Sequence, residues 1–290
     1  MLDLNPKIFR AYDIRGVADR DLTDPVIHAI GHALAEKLLD GGATSVAIAR
    51  DVRKSSPRIT NILKAIFQGA GFEVVDLGIA ASPQLYFAVA EFGYCGGIMV
   101  TASHNPGQDN GLKMLEREVA LSGDSIQDLY SRAAAGRRVE RAGGSLRNQD
   151  IMEPYLQRLC SDARLGSKKL RIAVDGGNGM SGPGICGLLD RLGIEYFPLY
   201  CEPDGDFPNH HPDPTVEENL ADLKELVLRE GCDFGIGFDG DGDRIGVVDE
   251  QGRMIHGDRL LMIYARTLLQ EVPGARIVGE VKCSDILFEM

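Results

Sequence analysis

Short apolar runs alternate with amphipathic stretches along most of the chain. Runs rich in β-branched residues predict buried strands, and the longer amphipathic segments between them predict helices. Strands separated by helices of this length indicate right-handed βαβ units. The sequence therefore predicts repeated mixed-sheet α/β domains with helices on both faces. The main predicted strands are 45–49, 72–77, 97–100, 170–174, 195–199, 233–238 and 245–248, and the main predicted helices are 57–68, 84–92 and 216–229.

The alternation is interrupted once, at 135–149, where glycine and arginine become frequent and indicate a domain edge. Near the end, a helix at 258–269 and a strand at 276–278 predict the start of a third unit. That unit has too few elements to close a core of its own, so we expect a chain truncated in its third domain. The predicted domains are 1–148, 149–252 and the incomplete 253–290.

Composition excludes several classes of protein. Hydrophobic residues make up 44% and charged residues 26%, as in globular proteins, and the net charge of −12 argues against a nucleic-acid or anionic-membrane partner. Six cysteines without a Cys-x-x-Cys pair predict buried free thiols in a reducing compartment. Neither a membrane span nor a signal peptide is evident. We therefore expect a cytoplasmic protein, with its oligomeric state left open.

The acidic loop, residues 239–244, carries Asp239, Asp241 and Asp243 separated by glycines. Carboxylates two residues apart on an extended loop can turn three oxygen donors towards one cation, and such ligands suit Mg²⁺ or Ca²⁺ rather than zinc. Without a cation, the three carboxylates would repel one another. Arg244 cannot be a metal ligand, but its guanidinium suits a phosphate oxygen beside the metal. The loop therefore predicts a hard-cation site next to a phosphate.

A calcium loop of the EF-hand type is the competing interpretation of these residues. The three aspartates match positions 1, 3 and 5 of that loop, and Glu250 matches position 12. Position 6, however, is Arg244, where the sharp turn requires glycine. The flanking segments also resemble strands rather than helices. Both departures disfavour a calcium sensor.

The serine loop, residues 101–106, follows a predicted buried strand and contains Ser103 and His104. Reactive groups of α/β folds lie just past the C-terminal ends of strands. His104 could act as a base or a phosphate donor, although an ordinary turn can also contain a Ser-His pair. Further on, Gly111 suits a tight turn, and Lys113 could bring a point charge to a phosphate.

Taken together, the loops resemble those of the α-D-phosphohexomutases. The bacterial phosphomannomutase/phosphoglucomutase branch is the most similar, and the resemblance extends over essentially the whole chain. The motifs that carry it are Thr-Ala-Ser-His-Asn-Pro at 101–106, Asn-Gly-Leu-Lys at 110–113 and Asp-Gly-Asp-Gly-Asp-Arg at 239–244, with further matches at 9–16, 207–214 and 279–284.

The resemblance implies an intramolecular phosphotransferase that interconverts the 1-phosphate and 6-phosphate of mannose or glucose through a 1,6-bisphosphate. A phosphorylated hexose would be the substrate, Mg²⁺ the metal and glucose 1,6-bisphosphate the activator. Ser103 would carry the transferred phosphate. The implied catalytic residues are Ser103, His104, Lys113 and Lys282, the substrate-binding residues Tyr12, Arg15 and Arg244, and the metal ligands Ser103, Asp239, Asp241 and Asp243. Arg15 and Lys282 could instead form ordinary ion pairs at a domain interface.

Members of this branch have four domains, so the resemblance also implies that two substrate-binding loops are absent. These are the third-domain loop that contacts sugar hydroxyls and the fourth-domain loop that grips the second phosphate. Such remote contacts orient the sugar for each transfer, and we expect poor turnover without them. Two alternatives stay open, a phosphoglucosamine-type mutase and a non-catalytic metal- or phosphosugar-binding fragment. The segment at 9–16 favours the mannose/glucose branch.

Overall fold

The computed structural model describes residues 4–289, which form two β-sheets flanked by helices. The first sheet contains β1 (Ile14–Val17), β2 (Ser45–Arg50), β3 (Glu73–Ile79), β4 (Gly96–Val100), β5 (Asp109–Glu116), β6 (Val119–Ala120) and β7 (Ser145–Asn148). Its strand order is β1-β5-β4-β2-β3-β7, with β6 paired to β5. Strands β2, β3, β4 and β7 run parallel, whereas β5 is antiparallel to both β1 and β4.

The central strands of the first sheet are buried on both sides because helices cover both faces of the sheet. On β2, Val46 and Ile48 belong to one apolar cluster, and the smaller Ala47 and Ala49 belong to the other. Successive strand residues point to opposite faces, so Val46 and Ile48 face one helical layer and Ala47 and Ala49 face the other. The four helices of this layered unit are α1 (Asp24–Asp40), α2 (Ser56–Gly69), α3 (Ser82–Phe92) and α4 (Asp124–Ala135). Only α3 lies on the face with the alanines.

The second sheet is smaller and has the order β12-β11-β10-β8-β9. Its elements are β8 (Arg171–Asp175), α6 (Ser181–Leu192), β9 (Glu195–Leu199), α7 (Ala221–Glu230), β10 (Phe234–Phe238), β11 (Ile245–Asp249) and β12 (Met254–Ile255). The helix α5 (Met152–Asp162) connects the two sheets and packs against both α3 and α6. The antiparallel hairpin β10–β11 carries the acidic loop at its tip.

The helix predicted at 216–229 is confirmed as a helical segment, although its first turn, Glu217–Leu220, is 3₁₀ and only the rest is α7. Two other local predictions were wrong. No strand forms at 276–278 within the described chain, where Val278 is 87% exposed and no neighbouring strand pairs with this segment. Gly111 lies inside β5 rather than in a turn; a Cβ there would meet the Ile14 carbonyl oxygen at 2.3 Å. This glycine therefore permits a close approach of two strands.

The predicted fold class is confirmed by the two mixed sheets with helices on both faces. Beyond β12, α8 (Gly257–Glu271) and a 3₁₀ turn are the remaining regular elements of the described chain. The six cysteines are free as predicted, although only Cys232 is fully buried. Among residues 4–289, none of the helices combines the length and apolar character that crossing a bilayer requires.

Candidate functional site

The serine loop follows β4, and the acidic loop connects β10 to β11, so the two loops come from different sheets. The structure places them in direct contact: the Ser103 hydroxyl donates to Oδ2 of Asp239 at 2.7 Å. Ser103 has a left-handed backbone, with φ of +54°, and its amide donates to the Thr101 hydroxyl at 2.9 Å. Positive φ is uncommon for a residue other than glycine, and such positions occur often at functional sites.

Gly240 makes the close approach of the loops possible. A Cβ at this position would lie 2.5 Å from the carbonyl oxygen of Ser103. Any side chain would therefore push the serine loop away from the acidic loop. Outside the serine loop, one backbone bond also joins the first layer to the acidic loop, since the amide of Ser82 donates to the carbonyl of Asp241 at 2.9 Å.

Asp239, Asp241 and Asp243 bring their carboxylates together, with one oxygen from each lying within 4.8 Å of the others. In Asp239, Oδ1 accepts from the amides of Asp243 and Arg244 at 3.0 and 3.1 Å. In Asp241, the hydroxyl of Ser82 and the ammonium of Lys113 both donate to Oδ2. The other oxygen of Asp241, Oδ1, is buried and has no hydrogen-bond partner within residues 4–289.

The charges of this cluster shift its pKa values in opposite directions. Burial, together with the charges of Asp241 and Asp243, raises the pKa of Asp239 to about 7. Burial also opposes ionisation of Asp241, yet Lys113 and Ser82 hold the pKa of that carboxyl below its usual range. For Lys113, the two carboxylates it contacts outweigh burial and raise the pKa of the ammonium. The cluster therefore carries excess negative charge, which the ammonium of Lys113 partly neutralises.

This donor set fits a hard divalent cation. Three carboxylates offer oxygen ligands, and the repulsion of each pair at 4.8 Å is about 3 kcal/mol for an effective dielectric constant near 20. A buried carboxylate oxygen without a partner, such as Oδ1 of Asp241, is costly in the absence of a ligand. Asp239, Asp241 and Asp243 could therefore hold a metal ion.

Lys113 lines the space beside Ser103, as the resemblance implies, but its ammonium contacts the acidic loop. Its Nζ donates to Oδ2 of Asp241 at 2.6 Å and also forms an ion pair with Asp243. The ammonium that was predicted to contact a phosphate thus contacts two carboxylates and neutralises part of their negative charge. A phosphate entering beside Ser103 would compete with these two carboxylates for the same ammonium.

Four other predicted residues surround a cavity of about 520 Å³ that opens next to Ser103. The ring Nδ1 of His104 is 3.2 Å from the Ser103 hydroxyl, and burial, followed by the charge of Arg244, lowers the pKa of this imidazole. Arg15 donates to Asn105 at 2.6 Å and pairs with Asp13. The other lining residues predicted from the sequence are Tyr12 and Arg244.

Lys282 is not brought to this cavity. Its side chain is 83% exposed and lies 3.3 Å from Glu280, and it is absent from the residues that line the space beside Ser103. The catalytic role implied for Lys282 stays a prediction.

Two buried residues near the site were missed by the sequence reasoning. Arg53 donates to the carbonyl of Ser103, and Ser82 donates to Asp241. Both follow strands of the first sheet, β2 and β3, as Ser103 follows β4. The C-terminal ends of these parallel strands meet at one edge, so the rule that located Ser103 could have located the other two.

Comparisons with known proteins agree with this geometry. Residues 6–139 match the family model "Phosphoglucomutase/phosphomannomutase, alpha/beta/alpha domain I", and residues 153–252 match domain II. A phosphomannomutase/phosphoglucomutase of Pseudomonas putida is 41% identical over 281 residues, covering 97% of this chain and 60% of that protein. A phosphoglucomutase of Neisseria meningitidis serogroup B is 39% identical, covering 99% of this chain and 62% of that protein.

Solved structures show the same relationship. The crystal structure of a phosphoglucomutase/phosphomannomutase family protein from Burkholderia thailandensis superposes with a TM-score of 0.92 at 40% identity, covering 97% of this chain and 63% of that one. A phosphomannomutase structure from Thermus thermophilus gives 0.86 at 27% identity, with coverage of 97% and 65%. This chain thus spans less than two thirds of the length of these relatives. It belongs to the phosphoglucomutase/phosphomannomutase family.

Proposed function

We propose that this chain carries the phosphoserine and metal site of a phosphosugar mutase that interconverts hexose 1-phosphates and 6-phosphates. The observation that carries the proposal is the 2.7 Å hydrogen bond from Ser103 to Asp239, which joins the serine loop to a buried carboxylate cluster. A phosphate on Ser103 would lie beside ligands for a hard cation. The names of the relatives, phosphomannomutase/phosphoglucomutase, support mannose and glucose phosphates as the substrates.

We assign Mg²⁺ as the metal, held by Asp239, Asp241, Asp243 and an oxygen of phosphorylated Ser103. The bound ion would neutralise charge on the phosphoryl group during transfer. The unpartnered Oδ1 of Asp241 and the raised pKa of Asp239 support a cation at this place. Glucose 1,6-bisphosphate would act as the activator, because it can deliver the first phosphate to Ser103.

Protons must move when the phosphoryl group does. As the bond from phosphorus to Ser103 Oγ forms and the bond to the sugar oxygen breaks, the hydroxyl proton would turn from Asp239 and pass to His104, whose Nδ1 is 3.2 Å away. The sugar oxygen gains a proton at the same time. Lys282 keeps its predicted role as a general acid/base or a phosphate contact near the sugar hydroxyl, which requires it to reach the cavity from its exposed position.

The substrate would bind in the cavity beside Ser103. Arg244 lies at its edge, and no acidic side chain of the described residues pairs with this guanidinium, so it can take a phosphate oxygen. Arg15 and Tyr12 line the same space.

We further propose the domain division 1–148, 149–252 and 253–290, which the change of sheet between β7 and β8 supports at its first boundary.

Incubation with glucose 1,6-bisphosphate and Mg²⁺ tests the proposal. Intact-mass spectrometry should show one added phosphate, and a Ser103→Ala chain should stay unmodified. Absence of the added mass, or its presence on Ser103→Ala, would overturn the assignment of Ser103.

A coupled mutase assay of this chain beside a version extended to the length of its relatives should show far higher turnover for the longer protein. Equal activity would contradict the importance of the remote contacts.

A further inference from the structure

We infer that Ser82 is a positioning residue of the metal site, which fixes the carboxylate of Asp241 so that its Oδ1 is left free for the cation. The inference rests on the proposed function and concerns a residue outside both loops. Ser82 has no exposed surface and contacts neither the cavity nor Ser103. Its influence on the metal site would pass through Asp241.

Ser82 holds Asp241 at two points. Its amide donates to the main-chain carbonyl of Asp241 at 2.9 Å, and its hydroxyl donates to the side-chain oxygen Oδ2. One bond fixes the backbone of the acidic loop, and the other fixes the rotation of the carboxylate. Two bonds between the same pair of residues leave Asp241 little freedom to move relative to α3.

The two oxygens of Asp241 consequently have different surroundings. Oδ2 accepts from both Ser82 and Lys113, the latter at 2.6 Å, whereas Oδ1 has no partner among residues 4–289. Rotating the carboxylate away from this orientation would break both bonds of Oδ2. Ser82 therefore helps to fix the direction in which the free oxygen points, and a partner for that buried oxygen is the role expected of a metal ion.

The position of Ser82 in the fold connects its contact with Asp241 to the first sheet. Ser82 is the first residue of α3, whose first turn is closed by a 2.7 Å bond from the Ala81 amide to the Gln84 side chain. That helix packs against β4, the strand that leads into the serine loop. The layer that carries Ser103 thus also orients a carboxylate from the second sheet. Metal affinity would therefore depend on how the two sheets are joined.

Titration calorimetry of Mg²⁺ binding to the chain tests the inference. Ser82→Ala should weaken binding by roughly 10- to 100-fold, the usual effect of removing a group that orients a metal ligand. Ser82→Thr keeps the hydroxyl and should restore most of the affinity. Ser45→Ala is the matched control, since Ser45 is also buried and its hydroxyl accepts from the Cys95 amide at 3.1 Å, away from the carboxylates. It should leave Mg²⁺ binding unchanged.

The outcomes separate this inference from the proposed function. A wild-type chain that binds no Mg²⁺ would overturn both. If the wild type binds Mg²⁺ and Ser82→Ala binds it equally well, only the role of Ser82 is refuted. The same holds if Ser82→Thr fails to recover affinity while its circular dichroism matches the wild type. Should Ser82→Ala be unfolded, Ser82→Cys, with its weaker donor, should show an intermediate loss, and wild-type affinity there would refute the inference.

Discussion

The guanidinium of Arg53 donates to the carbonyl oxygen of Ser103 at 2.7 Å and thereby anchors the serine loop. Its Nε also pairs with Asp51 at 3.0 Å, and the side chain has no exposed surface. A single buried cation thus fixes the loop around the left-handed backbone of Ser103. The same guanidinium donates to three further carbonyl oxygens, those of Asn105, Pro106 and Asp109.

Replacing Arg53 by methionine should lower the free energy of unfolding by about 3–5 kcal/mol, because it removes the charged partner of the buried Asp51 carboxylate and one donor to each of four carbonyls. Urea denaturation followed by circular dichroism measures the change. The control is Arg20→Met, since Arg20 is largely exposed and pairs only with Asp21 on the surface. A loss below about 1 kcal/mol for Arg53→Met would contradict the scaffold role.

Gly240→Ala should slow phosphorylation of Ser103 by up to roughly 100-fold while the fold is kept. The added methyl would meet the Ser103 carbonyl oxygen at 2.5 Å and separate the loops by a fraction of an ångström or more. The rate of phosphate incorporation from glucose 1,6-bisphosphate gives the measurement. Gly184→Ala, where a Cβ meets nothing within 4 Å, provides the matched substitution and should behave as wild type.

Asp241→Asn should weaken Mg²⁺ binding at least 10-fold, because it removes charge from the buried oxygen that lacks a partner. Calorimetry with the Glu250→Gln chain provides the control. Glu250 occupies the last ligand position of the calcium-loop pattern, yet no described contact joins it to the three aspartates. Mg²⁺ affinity lost in Glu250→Gln and kept in Asp241→Asn would reverse our assignment and revive the calcium-loop interpretation.

The pair His210–Asp175 should make stability depend on pH. The hydrogen bond to Asp175, 3.0 Å from Nε2, raises the pKa of His210 in the folded protein. Stabilisation by this pair is therefore complete below the unfolded-state pKa of about 6.5 and is lost as pH rises through the higher folded-state value. Urea midpoints measured between pH 5.5 and 8.5 should fall with pH. The slope should be smaller for His210→Asn, and an unchanged slope would rule out this pair as its source.

The sequence predicted the features that depend on local pattern. Apolar runs located β2, β3 and β4 of the first sheet and β8 to β11 of the second, but not β1, β5, β6, β7 or β12. The spacing of Asp239, Asp241 and Asp243 located the acidic loop. The predicted fold class is confirmed, and the two loops lie in contact in the structure. These signals were readable because they reside in a few neighbouring residues.

The missed features depend on contacts between residues far apart in sequence. Ser82 and Asp241 are separated by 159 positions, and nothing in the local sequence of either indicates the other. The ammonium of Lys113 lies among carboxylates because β5 passes beside the acidic loop, which a one-dimensional pattern cannot show. The segment at 276–278 has strand-like residues but no partner strand, so propensity alone misled the prediction.

Because Ser103 and Asp239 belong to different sheets, the order in which the sheets are synthesised determines when the site can form. Translation delivers the first sheet, which ends with β7 at Asn148, well before it delivers Asp239. Domains generally fold as units, the N-terminal one first. A nascent chain therefore displays a folded serine loop for a period in which its carboxylate partners have not yet been synthesised. If Ser103 carries phosphate as proposed, the loading would require the finished chain with the β10–β11 hairpin docked, and the modification would then mark a fully assembled site.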